Sequence, residues 1–80
     1  MRAIVIGATS GIGRAVAGLM ADEGWTVGIA GRRREMLESF VAEHPGADVH
    51  ISDFDIVAED SAEKLSALIE SAGGADLIFI

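Results

Sequence analysis

Two patterns of hydrophobic residues alternate along this chain. Short apolar runs without alternating polar residues are typical of strands buried on both faces of a sheet, and such runs occupy positions 3–6, 25–30, 49–51 and 77–80. Between them, apolar residues recur every three or four positions and predict helices. These residues are Ile12, Ala15, Val16, Leu19 and Met20 in the first helix, Met36, Leu37, Phe40 and Val41 in the second, and Leu65, Leu68, Ile69 and Ala72 in the third. The predicted order of elements is β-α-β-α-β-α-β.

Glycine, proline and an acidic pair mark the limits of the predicted helices. Gly24 follows the first helix, Pro45-Gly46 the second and Gly73-Gly74 the third, and these residue types disfavour continuation of a helix. Asp60, with Glu63 three positions later, resembles a capping box and predicts where the third helix begins.

Strands that alternate with helices predict a parallel sheet covered on both faces, with right-handed crossovers. The expected strand order is 3-2-1-4, which is one half of a doubly wound sheet plus the first strand of the other half. Gly28 lies inside the second strand and predicts a weak point there, because glycine has no side chain to pack. Eighty residues is about half to four-fifths of a typical domain of ~100–150 residues, so one domain is expected.

Composition narrows the classes of function. Thirteen acidic and six basic residues give a net charge of −7, which is the wrong sign for a general nucleic-acid binder. The absence of cysteine excludes disulfides and thiolate metal sites, and no other pattern predicts a metal site. No apolar run approaches the ~20 residues that cross a bilayer, and the first residues lack a signal-peptide layout. A cytoplasmic protein that contacts neither membrane nor nucleic acid is expected.

A glycine-rich turn follows the first predicted strand. Residues 7–13 read G-A-T-S-G-I-G and lead directly into the first helix. Glycines allow a tight turn and the close approach of a pyrophosphate, while the free N–H groups and dipole of the helix attract the anion. A tight turn without a ligand is the alternative, but three glycines at this place favour dinucleotide binding. The candidate cofactor-binding residues are Gly7, Thr9, Ser10, Gly11, Ile12 and Gly13.

Residues 4–16, with the sequence IVIGATSGIGRAV, resemble the cofactor-binding start of the short-chain dehydrogenase/reductase family. The family pattern is T-G-x-x-x-G-[IL]-G; the three glycines and Ile12 match it, whereas Ile6 stands where the family usually has threonine. The resemblance implies an α/β, Rossmann-like fold that is truncated here, so residues 1–80 are interpreted as a partial dinucleotide-binding domain. Arg14, in the first turn of the helix, is expected either to neutralise the pyrophosphate or to lie exposed.

Three consecutive arginines follow the second predicted strand. An acidic residue at this place commonly binds the ribose 2′-hydroxyl and selects NAD, but here Gly31 is followed by Arg32, Arg33 and Arg34. Guanidinium groups bind a 2′-phosphate through charge-assisted bonds, which predicts NADP, with NAD less favoured. Arg32 is the first candidate ligand and Arg33 the second, while Arg34 is expected to point to solvent. A solvated basic patch is the weaker alternative, because cations at a helix N-terminus oppose its dipole.

The resemblance also implies contacts to the adenosine. In the family, the position of Ser10 often contacts the ribose or its phosphate, and an arginine after the second strand accompanies NADP preference. After the third strand the family has Asp followed by Val, Leu or Ile, with the carboxylate hydrogen-bonded to the adenine amino group. Asp55-Ile56 matches that pair best, and Asp53-Phe54 is the alternative if the strand ends earlier. A polar loop at a strand end, with no role in binding, is the plain alternative for both.

Catalytic residues are not expected in this chain. The family transfers hydride with a serine, a tyrosine and a lysine in Tyr-x-x-x-Lys spacing, whereas this sequence has no tyrosine and one lysine, Lys64. The favoured interpretation is the NADP(H)-binding portion of a short-chain oxidoreductase, whose carbonyl or alcohol substrate binds only to a full-length parent. The alternatives are a stand-alone nucleotide-binding module and an interaction domain, both without catalysis. The apolar last strand predicts association through that strand, with a second copy or with a partner.

Overall fold

The computed structural model describes residues 1–8 and 11–80 and contains a parallel sheet of four strands with three helices. The strands are β1 (Arg2–Ile6), β2 (Thr26–Gly31), β3 (Val49–Asp53) and β4 (Leu77–Phe79), and the helices are α1 (Gly11–Asp22), α2 (Arg34–Glu43) and α3 (Ser61–Ala72). The strand order is β3-β2-β1-β4, and every pairing is parallel. The predicted order of elements and of strands is confirmed. None of the helices so described is long and apolar enough to cross a membrane.

The sheet has a separate hydrophobic core on each face. Successive residues of a strand point to opposite faces, so Val5 packs with α1 and α2, while Ile4 and Ile6 pack with α3. The first core also contains Ala17, Ala21, Val27, Ile29, Leu37 and Phe40, and the second also contains Ala30, Phe54, Leu68 and Ala72. Burial of both faces explains why the strands have continuous apolar sequences.

Helix α1 packs on the sheet through small residues. Gly13, Ala17 and Ala21 are its buried positions, whereas Ile12 is 75% exposed and Leu19 is 64% exposed. The predicted apolar face, which included Ile12 and Leu19, is therefore wrong at these positions. A seam of small residues lets the helix lie close to the strands, and the bulkier side chains then stand outside the core.

Helix α3 begins without the predicted capping box. Asp60 is the N-cap residue, but its side chain makes no cap hydrogen bond. Its backbone, at φ −92° and ψ 9°, departs from the extended conformation in which an N-cap side chain reaches the amides of the first turn. The carboxylate Oδ2 lies instead 3.7 Å from Lys64 Nζ, so Asp60 forms an ion pair one turn along the helix.

Gly28 is a packing position and not the predicted weak point. A Cβ at this residue would lie 2.7 Å from Ile4 Cδ1 and 3.2 Å from Leu68 Cγ. Leu68 is 3% exposed, and its side chain occupies the space that a larger residue on β2 would need. The missing side chain therefore allows α3 to approach the sheet closely.

Strand β4 is an open edge of the sheet in the part of the chain that the structure describes. It pairs with β1 on one side, and Leu77, Ile78 and Ile80 are 38%, 46% and 77% exposed. An apolar strand with unpaired backbone groups is a template for pairing with another strand. This edge is the basis of the association that the sequence predicts.

Arg14 joins α1 to α2. Its Nη1 donates a hydrogen bond to the Met36 carbonyl at 3.0 Å, and its Nη2 lies 3.0 Å from Glu43 Oε1. The guanidinium carbon is 5.6 Å from the centre of the Phe40 ring, and the side chain is only 20% exposed. The predicted exposure of Arg14 is therefore wrong, and α2 engages donors that the other prediction assigned to the pyrophosphate.

Replacing Arg14 should loosen the contact between the two helices. Arg14→Met keeps much of the side-chain bulk but removes the charged donors, so we expect the free energy of unfolding to fall by about 1–2 kcal/mol. Urea unfolding followed by the fluorescence of the single tryptophan, Trp25, measures the loss. Arg33→Met is the matched control, because no carboxylate of the described residues forms an ion pair with Arg33. Equal stability of the two variants would contradict this role of Arg14.

Candidate dinucleotide-binding site

A cleft of about 180 Å³ lies at the edge of the sheet where the carboxyl ends of β1, β2 and β3 meet. In open α/β sheets, ligands bind at this edge, outside the carboxyl ends of the strands. The cleft is lined by Ile6, Gly7, Gly31, Arg32, Phe54, Asp55 and Ile56. Three separate predicted motifs therefore contribute to one cleft: the glycine turn, the arginines and the pair Asp55-Ile56.

A larger cavity, of about 490 Å³, lies at the opposite edge, where α1 and α2 end. Its lining includes the carboxylates of Asp22, Glu43 and Asp48. These negative charges, together with the negative ends of two helix dipoles, repel the phosphates of a dinucleotide. The smaller cleft is the better candidate for an anionic cofactor, because Arg32 lies at its rim and Asp55 is the one acidic residue in its lining.

The glycine turn is tied to β2 by its first two amides. Gly7 N and Ala8 N both donate to the Ala30 carbonyl, at 2.8 and 3.0 Å. Gly7 has φ +80° and Gly11 has φ +66°, a left-handed conformation that favours glycine. Among the described residues, and apart from its chain neighbours and the backbone of its own helix, no atom lies within 4 Å of a Cβ built on either glycine, so both border open space that a ligand can approach.

Gly13 serves a different purpose from the other two glycines of the turn. A Cβ at this position would lie 2.5 Å from the Gly7 carbonyl oxygen and 3.2 Å from the Gly7 carbonyl carbon. These are backbone atoms, and the hydrogen bond from Gly7 N to Ala30 restricts their movement. Gly13 therefore permits close contact between α1 and the turn.

Two further candidates, Gly11 and Ile12, lie in the first turn of α1. Helix α1 begins at Gly11, and the first amides of a helix have no partners within it, so this end offers donors for an anion. Ile12 lies in the same first turn, and its side chain is 75% exposed. Thr9 and Ser10, which the sequence also predicts to bind the cofactor, lie outside the described residues.

The three arginines have three different environments. Arg32 lines the cleft, is 77% exposed, and its Nη1 lies 3.9 Å from Asp55 Oδ2. Arg33 is the N-cap residue of α2 and makes no side-chain cap hydrogen bond. Arg34 Nη1 lies 3.1 Å from Asp53 Oδ1, and Arg34 Nε lies 3.5 Å from Glu38 Oε2. Arg34 is exposed, as the sequence predicts, with its side chain 51% accessible, and two carboxylates also contact its guanidinium.

The acidic residue that ends β3, Asp53, and the one that follows the strand, Asp55, also differ. The strand extends to Asp53, so it does not end early, and Phe54 is buried in the α3 core at 6% exposure. Asp55 and Ile56 line the cleft, whereas Asp53 does not. Asp55 Oδ1 also accepts a hydrogen bond from Val57 N at 3.1 Å, which fixes the carboxylate at the start of the loop. The geometry thus favours Asp55-Ile56 over Asp53-Phe54.

Metal ligands are not clustered in the part of the chain that the structure describes. No group of three or more His, Cys, Asp or Glu side chains there could hold a metal ion. His44 stacks on Phe40, with ring centres 4.3 Å apart, and His50 Nε2 lies 2.9 Å from Asp48 Oδ1. Both histidines therefore have local structural partners.

Comparison with known proteins agrees with this architecture. The family model described as short chain dehydrogenase matches residues 1–79. Serine 3-dehydrogenase of Agrobacterium fabrum is 43% identical over 76 residues, which are 94% of this chain and 30% of that protein. The chain therefore spans a quarter to a third of the length of the curated relatives it matches.

Solved structures show the same arrangement of strands and helices. Actinorhodin polyketide ketoreductase with NADPH matches with a TM-score of 0.85 and 30% identity, over 96% of this chain and 31% of that one. An alcohol dehydrogenase from the archaeon Thermococcus sibiricus, complexed with 5-hydroxy-NADP, matches with a TM-score of 0.88 and 27% identity, over 96% and 34% of the two chains. The fold shared with both proteins is the Rossmann fold.

Proposed function

The chain belongs to the short-chain dehydrogenase family, and we propose that it forms the NADP(H)-binding portion of an oxidoreductase. In this proposal the parent enzyme transfers hydride between the nicotinamide and a carbonyl or alcohol substrate. The observation that carries the proposal is the cleft at the carboxyl ends of β1, β2 and β3, because Gly7 and Arg32 line it together. A glycine turn that a pyrophosphate can approach and a guanidinium group at the rim of the cleft are features typical of NADP binding.

The proposed contacts divide the cofactor into three parts. The turn formed by Gly7, Gly11 and Gly13, with Thr9 and Ile12, would hold the pyrophosphate, and Ser10 would contact the adenosine ribose or its phosphate. Arg32, with Arg33 beside it, would bind the 2′-phosphate. Asp55 and Ile56 would contact the adenine. The open space beside Gly7 and Gly11 supports the first assignment, and the 3.9 Å separation of Arg32 from Asp55 supports the second, since so loose a pair can exchange its carboxylate for a phosphate.

The chemistry of the reaction comes from the nicotinamide, which gives or accepts the hydride when it is bound. The residues of this chain bind and orient the adenosine half of the cofactor, and we assign no catalytic residue among them. Neither the substrate nor the direction of the reaction is part of the proposal. The printed names of the relatives include a serine 3-dehydrogenase and a polyketide ketoreductase, and both activities fit hydride exchange with a carbonyl or alcohol.

Replacing Arg32 should change the choice of cofactor. Arg32→Ala removes a charge-assisted bond to the 2′-phosphate, so we expect NADPH affinity to fall by about 5- to 150-fold. NADH affinity should change little, because NADH lacks that phosphate. Calorimetric titration with both cofactors measures the two affinities.

The control for this prediction is Arg2→Ala, which makes the same change in net charge. Arg2 begins β1 at the opposite edge of the sheet, so its loss should leave both affinities unchanged apart from a small long-range effect. A native chain that binds NADH as tightly as NADPH, or an Arg32→Ala variant that loses both cofactors equally, would contradict the proposed role.

A stand-alone nucleotide-binding module without catalysis is the second candidate. The observation that favours it is the composition, since the chain has no tyrosine and one lysine and so lacks the family's Tyr-x-x-x-Lys pair. We propose a cytoplasmic location and association through β4 for either candidate function. Cell fractionation tests the location, and the longer reading frame distinguishes the two functions, because a Tyr-x-x-x-Lys pair in it would favour the oxidoreductase.

A further inference from the structure

We propose that Arg34 and Asp53 form a brace that positions Arg32 and Arg33 for the 2′-phosphate. The proposal rests on the NADP(H) binding proposed above and adds two residues that do not themselves contact the cofactor. Asp53 lies outside the cleft lining, and two carboxylates already hold Arg34. Both are therefore positioning residues.

The brace closes a very short loop. Gly31 and Asp53 are partners in the parallel register of β2 and β3, and Arg34 is the first residue of α2. Arg32 and Arg33 are the two residues between the end of β2 and the start of α2. The contact of 3.1 Å between Arg34 Nη1 and Asp53 Oδ1 thus links the first residue of α2 to the end of β3. Its effect is to restrict where the two intervening guanidinium groups can lie.

The N-cap position of α2 is not held by its own side chain. Arg33 occupies the N-cap position with an extended backbone, φ −112° and ψ 100°, and makes no side-chain cap hydrogen bond. Three arginines at a helix N-terminus also oppose the helix dipole. Asp53 supplies a negative charge where the dipole favours one, and it does so from a neighbouring strand. Glu38 contacts the same guanidinium at 3.5 Å but belongs to α2 itself, so it cannot tie the helix to the sheet.

A brace and a direct phosphate ligand predict opposite effects of one substitution. If Arg34 bound the phosphate directly, Asp53→Asn would release it and remove a nearby negative charge, and NADPH would bind more tightly. If Arg34 and Asp53 act as a brace, Asp53→Asn loosens the turn, and NADPH binds more weakly although the site becomes more positive. Only the brace predicts that Asp53→Asn weakens NADPH binding, because the added positive charge alone would strengthen it.

The test measures NADPH and NADH affinity by calorimetry for five proteins: the native chain, Asp53→Asn, Arg34→Gln, the double variant, and the exchanged pair Arg34→Asp/Asp53→Arg. Each single variant should lower the ratio of NADPH to NADH affinity by about two- to fivefold, the range of an exposed ion pair. The double variant should lose no more than either single variant, because both remove one contact. The exchanged pair should recover part of the lost ratio of NADPH to NADH affinity, because the ion pair can form again. Two unrelated structural defects would not compensate each other in this way.

Glu38→Gln is the matched control. It removes one negative charge from the same guanidinium, as Asp53→Asn does, but leaves the link between α2 and β3 intact. The ratio of NADPH to NADH affinity of Glu38→Gln should stay at the native value or rise slightly. Circular dichroism checks the fold of each variant, and exposed ion pairs add little to stability, so folded proteins are expected.

The outcomes separate the two proposals. If the native chain prefers NADPH and Asp53→Asn leaves the ratio unchanged or raises it, the brace is overturned and the NADP(H)-binding proposal stands. If the native chain binds NADPH and NADH equally, the proposed function is overturned, and the brace with it. A lowered ratio in Asp53→Asn with a native ratio in Glu38→Gln supports the brace.

Discussion

Gly13→Val is expected to abolish binding of NADPH and NADH alike, with a loss of more than about a hundredfold in both affinities. A Cβ at residue 13 would lie 2.5 Å from the Gly7 carbonyl oxygen, and the turn cannot retreat because Gly7 N and Ala8 N are bonded to the Ala30 carbonyl. Helix α1 must therefore move away from the turn, which separates its amides from the place of the pyrophosphate. Calorimetric titration of a folded variant measures the effect.

Gly18→Ala is the matched control for this substitution. Gly18 lies in the same helix, but a Cβ there would meet His44 at 3.6 and 3.7 Å, which is ordinary van der Waals contact. The variant should bind both cofactors normally and gain up to about 1 kcal/mol of stability from the higher helix propensity of alanine. If Gly13→Val remains folded and binds both cofactors with native affinity, the glycine turn does not hold the pyrophosphate.

The fold could be predicted from the sequence because its strands are buried on both faces. Continuous apolar runs such as residues 3–6 indicate strands of a parallel sheet, and the alternation with helices restricts the topology. The packing face of α1 could not be predicted, because Gly13, Ala17 and Ala21 contribute little to a hydrophobic pattern. Their importance lies in their small size, which matters only once the distance between helix and sheet is known.

The place of the candidate site could also be predicted from the parallel sheet, whereas some of its side-chain contacts could not. Parallel strands bring their carboxyl ends to one edge, which explains why Gly7, Arg32 and Asp55, each of which the sequence predicts to bind the cofactor, line one cleft. The contact between Arg34 and Asp53 could not be predicted, because the two residues are 19 positions apart and meet only through the register of β2 and β3. The same holds for Arg14, whose partners lie on another helix.

The chain of 80 residues is expected to be marginally stable, or to associate through β4, when it is produced alone. Short chains bury a smaller fraction of their surface than long ones, and ordering the backbone opposes folding at every residue. Here Ile78 and Ile80, which are 46% and 77% exposed, add an open apolar edge. We expect a melting temperature at or below about 45 °C, or a dimer or larger species in size-exclusion chromatography.

The variant Ile78→Lys tests whether the chain associates through β4 or is only marginally stable. A lysine on an edge strand disfavours pairing with another strand, so association through β4 should decrease while the parallel pairing of β4 with β1 persists. If the native chain is a monomer with a high melting temperature, the stability claim is wrong. If the variant associates as the native chain does, the contact lies elsewhere than on β4.

The same preparation should show no dehydrogenase activity. Hydride transfer from the nicotinamide to a carbonyl is accelerated when a positioned acid protonates the oxygen, and general acid catalysis of this kind contributes about 10²–10⁴-fold. The chain has no tyrosine for this role, and its one lysine, Lys64, lies in α3 with Nζ 3.7 Å from Asp60. NADPH oxidation assayed with a panel of aldehydes and ketones should therefore stay at background, at protein concentrations where calorimetry shows the cofactor to be bound. Turnover above background would contradict the assignment of this chain to cofactor binding alone, because it would require an acid other than tyrosine among these residues.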